Sequence, residues 1–446
     1  MKNTKAQLFV ERKEEVQELG LLRPDSCWSW LVCAASGITT VLNGGIFGSF
    51  GLLLSPLMED FGVTRFDAAW IGSLHLAFGY LLSPLGSYLS DRYSYRFTSA
   101  LGNLAGMSGF LLASLSSKLW LMYLTYGFMS GCGHITSYNS CSLVVLQYFI
   151  KWRSLAVGIV QSSPAIGVLA VTQLTQAWLD EFGWRWAVRG LAGLYFVCAL
   201  CSAVFVPLDH PSEVNNWDKD MIMKPPVEQT RRLSLLGNRP FLILLTSVAV
   251  NHLANYVPIM HIVKHCEQEL HIAGNKAATL FTYLAVASII SRFLFCKLGD
   301  LNCLKRIRLY QCGMTISGLC IMCLPLARSF GSLATIMLVF GLMEGAMLGQ
   351  LTLLVLECVG RHKINQAWGV MQCFIGMSVS IGPPLAGFMA DRLGSYNPTF
   401  YTTGAVMIAG TLITSLMAFV KQQPERTEVL LSIGEELLVT EKVSVV

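Results

Sequence analysis

Two charges stand among residues suited to hydrocarbon. Arg292 lies within LFTYLAVASIISRFLFCKLGD, residues 280–300, and Glu344 within IMLVFGLMEGAMLGQLTLLVL, residues 336–356. An arginine at mid-bilayer costs roughly 2.5–3.5 kcal/mol on insertion scales, so it ordinarily faces a cavity, a partner or the interface. Two readings follow. Arg292 and Glu344 are partners across a central cavity, or Arg292, about a turn and a half from the end of its span, snorkels to the headgroups. In the first reading the chemistry is binding: a guanidinium is a planar fork that holds a carboxylate by charge-assisted hydrogen bonds worth about 1.5–3 kcal/mol each. His261 and His265 are four apart on one helical face, but no third ligand stands near, and we expect no metal. Cys198/Cys201 and Cys320/Cys323 have C-x-x-C spacing inside apolar helices, where thiols pack as small hydrophobes. There is no phosphate loop, nucleophile elbow or H-E-x-x-H motif, so no enzyme is expected.

The elements that must position these charges are membrane helices. Of 446 residues, 53% are hydrophobic and 13% charged, against about 25% charged in soluble domains. The first 25 residues mix charges and lack an apolar h-region, so no cleavable signal peptide is expected. A hydrocarbon core of about 30 Å needs about 20 apolar residues per helix. On that rule we read an all-α membrane protein of twelve spans, starting near Trp28, Trp70, Phe97, Leu119, Leu155, Ala187, Phe241, Ala277, Ile307, Leu333, Gln366 and Thr399. The polar stretch 209–239 divides them into two six-helix bundles, 28–208 and 240–420, between tails 1–27 and 421–446. Lysine and arginine concentrate after the even-numbered spans, which places the linker and both termini in the cytoplasm and accounts for the net charge of +5.

The loops after spans two and eight echo each other. The first is GSYLSDRYSYR, with Gly86, Asp91, Arg92 and Arg96; the second is KLGDLNCLKR, with Gly299, Asp300, Lys305 and Arg306. An acid near a helix end followed by basic residues can clamp a tight turn. The pattern resembles the loop signature of the major facilitator superfamily, repeated in both halves. Its implied role is gating and structure.

Three further stretches resemble one branch of that superfamily, the monocarboxylate transporters. PDSCWSW at the entry to span one matches at Asp25, Trp28 and Trp30. YFIKWRSLAVGIVQSSPAIG matches at Tyr148, Phe149, Lys151, Arg153, Leu155, Ala156, Gly158 and Gly167, with Trp152 where a second basic residue is usual. FGWRWA and GPPLAGFMAD match more loosely. The resemblance implies a twelve-helix 6+6 carrier of organic carboxylates at the plasma membrane, with a single-span glycoprotein chaperone as partner. Asp25, Lys151 and Arg153 take structural roles.

The chain departs from the proton-linked members of that family at two positions. Where they carry a lysine late in span one, this chain has Gly48; where they carry an aspartate one turn before the span-eight arginine, it has Ser288. Proton linkage is thereby put in doubt. Either Glu344 takes over as proton carrier, its pKa raised by apolar surroundings, or no proton is coupled. No other cofactor is expected. Tyr256-Val-Pro-Ile-Met-His261 and the acid at Glu344 look like the branch moving aromatic amino acids and thyroid hormones. The implied site holds a carboxylate on Arg292, with Glu344 orienting it or meeting an ammonium group, His261 donating to an oxygen, and Phe47, Phe50, Tyr256 and Trp368 offering apolar contact. Packing of His261 and the aromatics within the helices is the competing reading. A carrier for aromatic or zwitterionic amino acids or iodothyronines is the alternative function, and a transport-dead membrane receptor or scaffold the alternative of another class.

Overall fold

The computed structural model describes residues 24–206, 235, 237–273, 276–277, 279–299, 305–361 and 363–419. Nearly all of the 209–239 linker, Asp300 and the 421–446 tail lie outside the described residues.

Sixteen α-helices are described in chain order. In the first half they are α1 (Cys27–Gly48), α2 (Phe50–Phe61), α3 (Arg65–Leu81), α4 (Ser83–Arg92), α5 (Tyr95–Ser114), α6 (Leu119–Met122), α7 (Ser130–Tyr148), α8 (Arg153–Phe182) and α9 (Trp184–Ser202). The second half has α10 (Arg239–Asn255), α11 (Val257–Glu269), α12 (Leu280–Leu298), α13 (Arg306–Cys323), α14 (Phe330–Val359), α15 (Ile364–Leu393) and α16 (Asn397–Ile413).

Local breaks join neighbouring helices into longer rods. Pro84 in the first turn of α4 bends it 46° from α3, and a π-helical turn, Tyr123–Met129, links α6 to α7. Pairing α1 with α2 and α10 with α11 as well leaves twelve rods. Eight are long and apolar enough to cross a membrane, and the bent α3–α4 pair is a ninth. The other three, α5, α6–α7 and α9, are more polar because they spend small residues on one another. Gly102 backs onto Gly133, where an added Cβ would lie 2.8 Å from the carbonyl oxygen. Ser99 and Asn103 reach Ser202 at 2.8 and 3.2 Å. Close approach and interhelical hydrogen bonds are what hold helices together where lipid offers no hydrophobic drive.

The halves meet where α12 and α14 pack on α8, and where α15 packs on α3, α4 and α7. Hydrogen bonds join them at the loop after α4 and, deeper, from α8. Asn365 donates to Asp91 at 2.6 Å and accepts from Tyr95. Arg306 pairs with Glu357 at 2.6 Å and reaches Ser154 at 3.0 Å. Gln161 donates to Thr352 at 2.7 Å. Asp91 is thus one strand of a latch, whereas Arg92 and Arg96 are exposed.

Asp25 holds the first half together. Its backbone takes the left-handed conformation, φ 59°. Its carboxylate accepts the N–H groups of Ile150, Lys151 and Trp152 at 3.2, 3.0 and 3.2 Å. These donors lie just ahead of α8, with Trp152 at its N-cap. Burial works to raise the Asp25 pKa, but the three N–H groups and the nearby Arg153 charge outweigh it and hold the carboxyl below its ordinary range. Lys151 therefore contributes its backbone, and Arg153 donates Nε to the Phe149 carbonyl at 2.9 Å.

Candidate functional site

A cavity of about 230 Å³ lies between the halves, and Arg292 lines it. The residue is 8% exposed and turned inward, so the snorkelling reading of the sequence does not hold. Its placement follows from glycine spacing on the facing helix. Gly341, Gly345 and Gly349, each four apart, present no side chain to α12. A Cβ at Gly341 would fall 2.9 Å from Leu284 Cα, at Gly345 2.8 Å from Ser288 Cα, and at Gly349 2.9 Å from Cys296 Sγ. That stripe lets α12 and α14 close on each other and sets Glu344 beside Ser288 and Arg292.

Glu344 lies behind the arginine and is not part of the cavity wall. Ser288 donates to its Oε2 at 2.6 Å, and Arg292 Nη2 stands 3.9 Å from the same oxygen. The serine therefore stands in for the family's aspartate only as a support for the carboxylate. At 3.9 Å the ion pair compensates the buried charges only partly. Arg292 Nη1 donates to the Gln161 carbonyl on α8, and Nε has no partner. Pro164, inside the same helix, lacks the N–H that would bond the Val160 carbonyl. The Val160 carbonyl, left open by the same proline, takes the Thr40 hydroxyl at 3.4 Å. The guanidinium thus keeps an unused hydrogen-bonding edge beside a cavity, which suits capture of an anion.

Phe47, Tyr256 and Trp368 line the cavity. His261 does not: its Nε2 lies 3.0 Å from the Pro383 carbonyl and its ring packs 5.5 Å from Tyr396. His265 faces Phe400 instead, at 5.2 Å. Phe50 also turns away, packing on Tyr126 at 5.6 Å. Sequence reasoning missed Gln161, His75, His134 and His252, all on the cavity wall. The two histidines of α3 and α7 carried a signal, each being a polar ring inside a rod that must cross the membrane. The Gly341, Gly345, Gly349 spacing was a second unused signal, since small residues at four-residue intervals mark close helix contacts.

The geometry agrees with comparisons to known proteins. The model of the Major Facilitator Superfamily matches residues 37–267 and 244–441. Monocarboxylate transporter 10 of Danio rerio is 28% identical over 91% of this chain and 81% of that protein. Monocarboxylate transporter 12 of Mus musculus is 27% identical over 91% and 88%, and monocarboxylate transporter 4 of Mus musculus 28% identical over 92% and 88%. The human organic anion transporter MFSD10 shares the fold, with a TM-score of 0.68 at 12% identity over 86% of this chain and 99% of that chain. FucP in its outward conformation gives 0.64 at 15% identity over 86% and 98%. Superfamily and fold are those of twelve-helix transporters, which are not enzymes. This chain belongs to the Major Facilitator Superfamily, with monocarboxylate transporters as its relatives within it.

Proposed function

We propose that this protein is a secondary carrier of small organic monocarboxylates, resident in the plasma membrane with both termini cytoplasmic. The observation that carries the reading is the unused edge of Arg292 at a cavity between the halves. The relatives' names point to the same substrate class.

The seam suggests how binding would drive movement. Arg292 belongs to the second half but donates to Gln161 of the first, next to the Gln161–Thr352 bond. A substrate carboxylate competes for the same guanidinium. Once it wins, a bond joining the halves near the cavity is gone, and the latch made by Asn365, Asp91 and Arg306 is left to hold the halves closed. A rocking carrier needs such differential contact between its two states. With Gly48 and Ser288 at the two positions named above, Glu344, which Ser288 holds in place, is the carboxylate beside Arg292 to test as carrier of any coupled proton.

The lining favours a second reading, transport of aromatic or zwitterionic amino acids or iodothyronines. Phe47, Tyr80, Tyr138, Tyr256 and Trp368 surround the space where a carboxylate's tail would lie. Uptake of labelled lactate, pyruvate, phenylalanine and thyronine into oocytes, at pH 6 and pH 7.5 and with and without a single-span glycoprotein chaperone, separates the cases. Lactate uptake supports the first reading, its acid stimulation a coupled proton, and pH-insensitive phenylalanine uptake the second. No uptake of any carboxylate by protein present at the surface would leave a receptor or scaffold.

A further inference from the structure

His75 is 4% exposed and lines the cavity on the first-half wall, whereas Arg292 lines it from the second half. Its hydrogen bonds define which ring nitrogen carries the proton. The Ser130 hydroxyl has one hydrogen, and it goes to the Tyr126 carbonyl. Ser130 Oγ, 2.8 Å from His75 Nδ1, therefore has only lone pairs to offer, so Nδ1 is the donor. The Tyr126 carbonyl lies 3.4 Å from the same nitrogen, which agrees. A neutral imidazole protonated at Nδ1 presents Nε2 as an acceptor. That Nε2 is buried and has no partner. The neighbouring rings, Phe47 and His134 with centroids 6.1 and 5.3 Å from that of His75, do not bond to it, and His134 Nδ1 is also buried without a partner. Buried polar atoms in folded proteins are ordinarily satisfied, and an acceptor held in place on a cavity wall is matched by a donor on what occupies the cavity.

We infer that the carried molecule has two polar ends: a carboxylate taken by Arg292, and a hydroxyl or phenol whose hydrogen is accepted by His75 Nε2. The inference rests on the carrier reading above and narrows its substrate class. His75 is then a specificity residue, selecting donor-bearing acids over purely apolar ones, and the substrate bridges the halves from one polar end to the other.

The test uses three acids that differ at one position: 3-phenylpropanoate, its 4-hydroxy analogue and its 4-methoxy analogue, which keeps an acceptor but has no donor. Half-saturating concentrations for uptake are measured in oocytes expressing the full chain. In the wild type the phenol is favoured over both others by about tenfold, the size expected when one neutral hydrogen bond is made rather than lost. His75→Asn keeps a donor toward Ser130 but removes the Nε2 acceptor, and the ratio falls to about one. Equal handling of all three acids by the wild type, or a methyl ether as good as the phenol, overturns the inference and leaves the carrier reading intact. So does a preference that persists in His75→Asn. No uptake of any acid by surface-expressed protein removes both readings. The wild-type comparison does not depend on how well the variant folds.

Discussion

Arg292 and Glu344 stand 3.9 Å apart on neighbouring helices, held there because Gly345, next to the glutamate, leaves no side chain between α14 and the Ser288 backbone. The pair divides its tasks. The arginine faces the cavity and the glutamate stands behind it, fixed by Ser288.

Arg292→Lys keeps the charge but loses the planar fork. Carboxylate uptake is expected to fall at least tenfold at unchanged surface expression, because an ammonium does not offer two parallel N–H donors to the two carboxylate oxygens. Uptake normalised to surface biotinylation checks this. Undiminished uptake would remove the arginine from the site.

Glu344→Gln keeps an acceptor for Ser288 but leaves the buried guanidinium without its counter-charge. Breaking a buried pair typically costs about 3–5 kcal/mol, and at 3.9 Å the loss should fall at or below the lower end. The variant is expected to melt at lower temperature in detergent, with a transported carboxylate restoring more of its stability than it adds to the wild type. Thermal unfolding with and without substrate measures both effects.

Gly345→Ala places a methyl group 2.8 Å from Ser288 Cα, whereas Gly331→Ala on the same helix meets nothing within 4 Å. Over-packing of this kind costs about 1–3 kcal/mol. Gly345→Ala is expected to lower the yield of monodisperse protein and its melting temperature, and Gly331→Ala to leave both unchanged. Size-exclusion profiles after a heating series compare them.

Asn365→Ala removes the donor to Asp91 and the acceptor for Tyr95. Two hydrogen bonds of about 0.5–1.5 kcal/mol each shift an equilibrium between closed and open latch by roughly 5- to 150-fold. Spin labels at exposed Tyr93 and Arg361, with exposed native cysteines replaced, should report longer distances in the variant. An unchanged distance distribution would show that the latch does not set the closed state.

Asp25→Ala frees the donors just ahead of α8 and should reduce the amount of folded protein. The sign of its pH dependence is set by the lowered pKa. A carboxyl whose folded pKa is depressed stabilises the fold above its unfolded pKa, about 3.9, and loses that contribution only as pH falls through the folded value. The deficit of Asp25→Ala relative to wild type is therefore the same at pH 6 and pH 7.5. Fluorescence-monitored melting at the two pH values tests it, and a deficit that shrinks at pH 6 would contradict the cap.

The twelve rods, their division into halves and Arg292 as the charge out of place were legible in the residues alone. Hydropathy is a local property: about 20 consecutive apolar residues must span the hydrocarbon wherever the rest of the chain goes. Asp25 was marked as structural by its motif alone, but the distant loop it caps was not. Facing was not legible. His261 and Phe50 were natural choices for a cavity wall and turned to other helices, while His75 and Gln161 took their places. A membrane helix can present similar residues to lipid, to a neighbour or to a cavity, so composition leaves its rotation open. Rotation was decided by contacts distant in sequence: the glycine stripe of α14 against α12, the break at Pro164, and the Ser130 hydroxyl that holds the His75 ring.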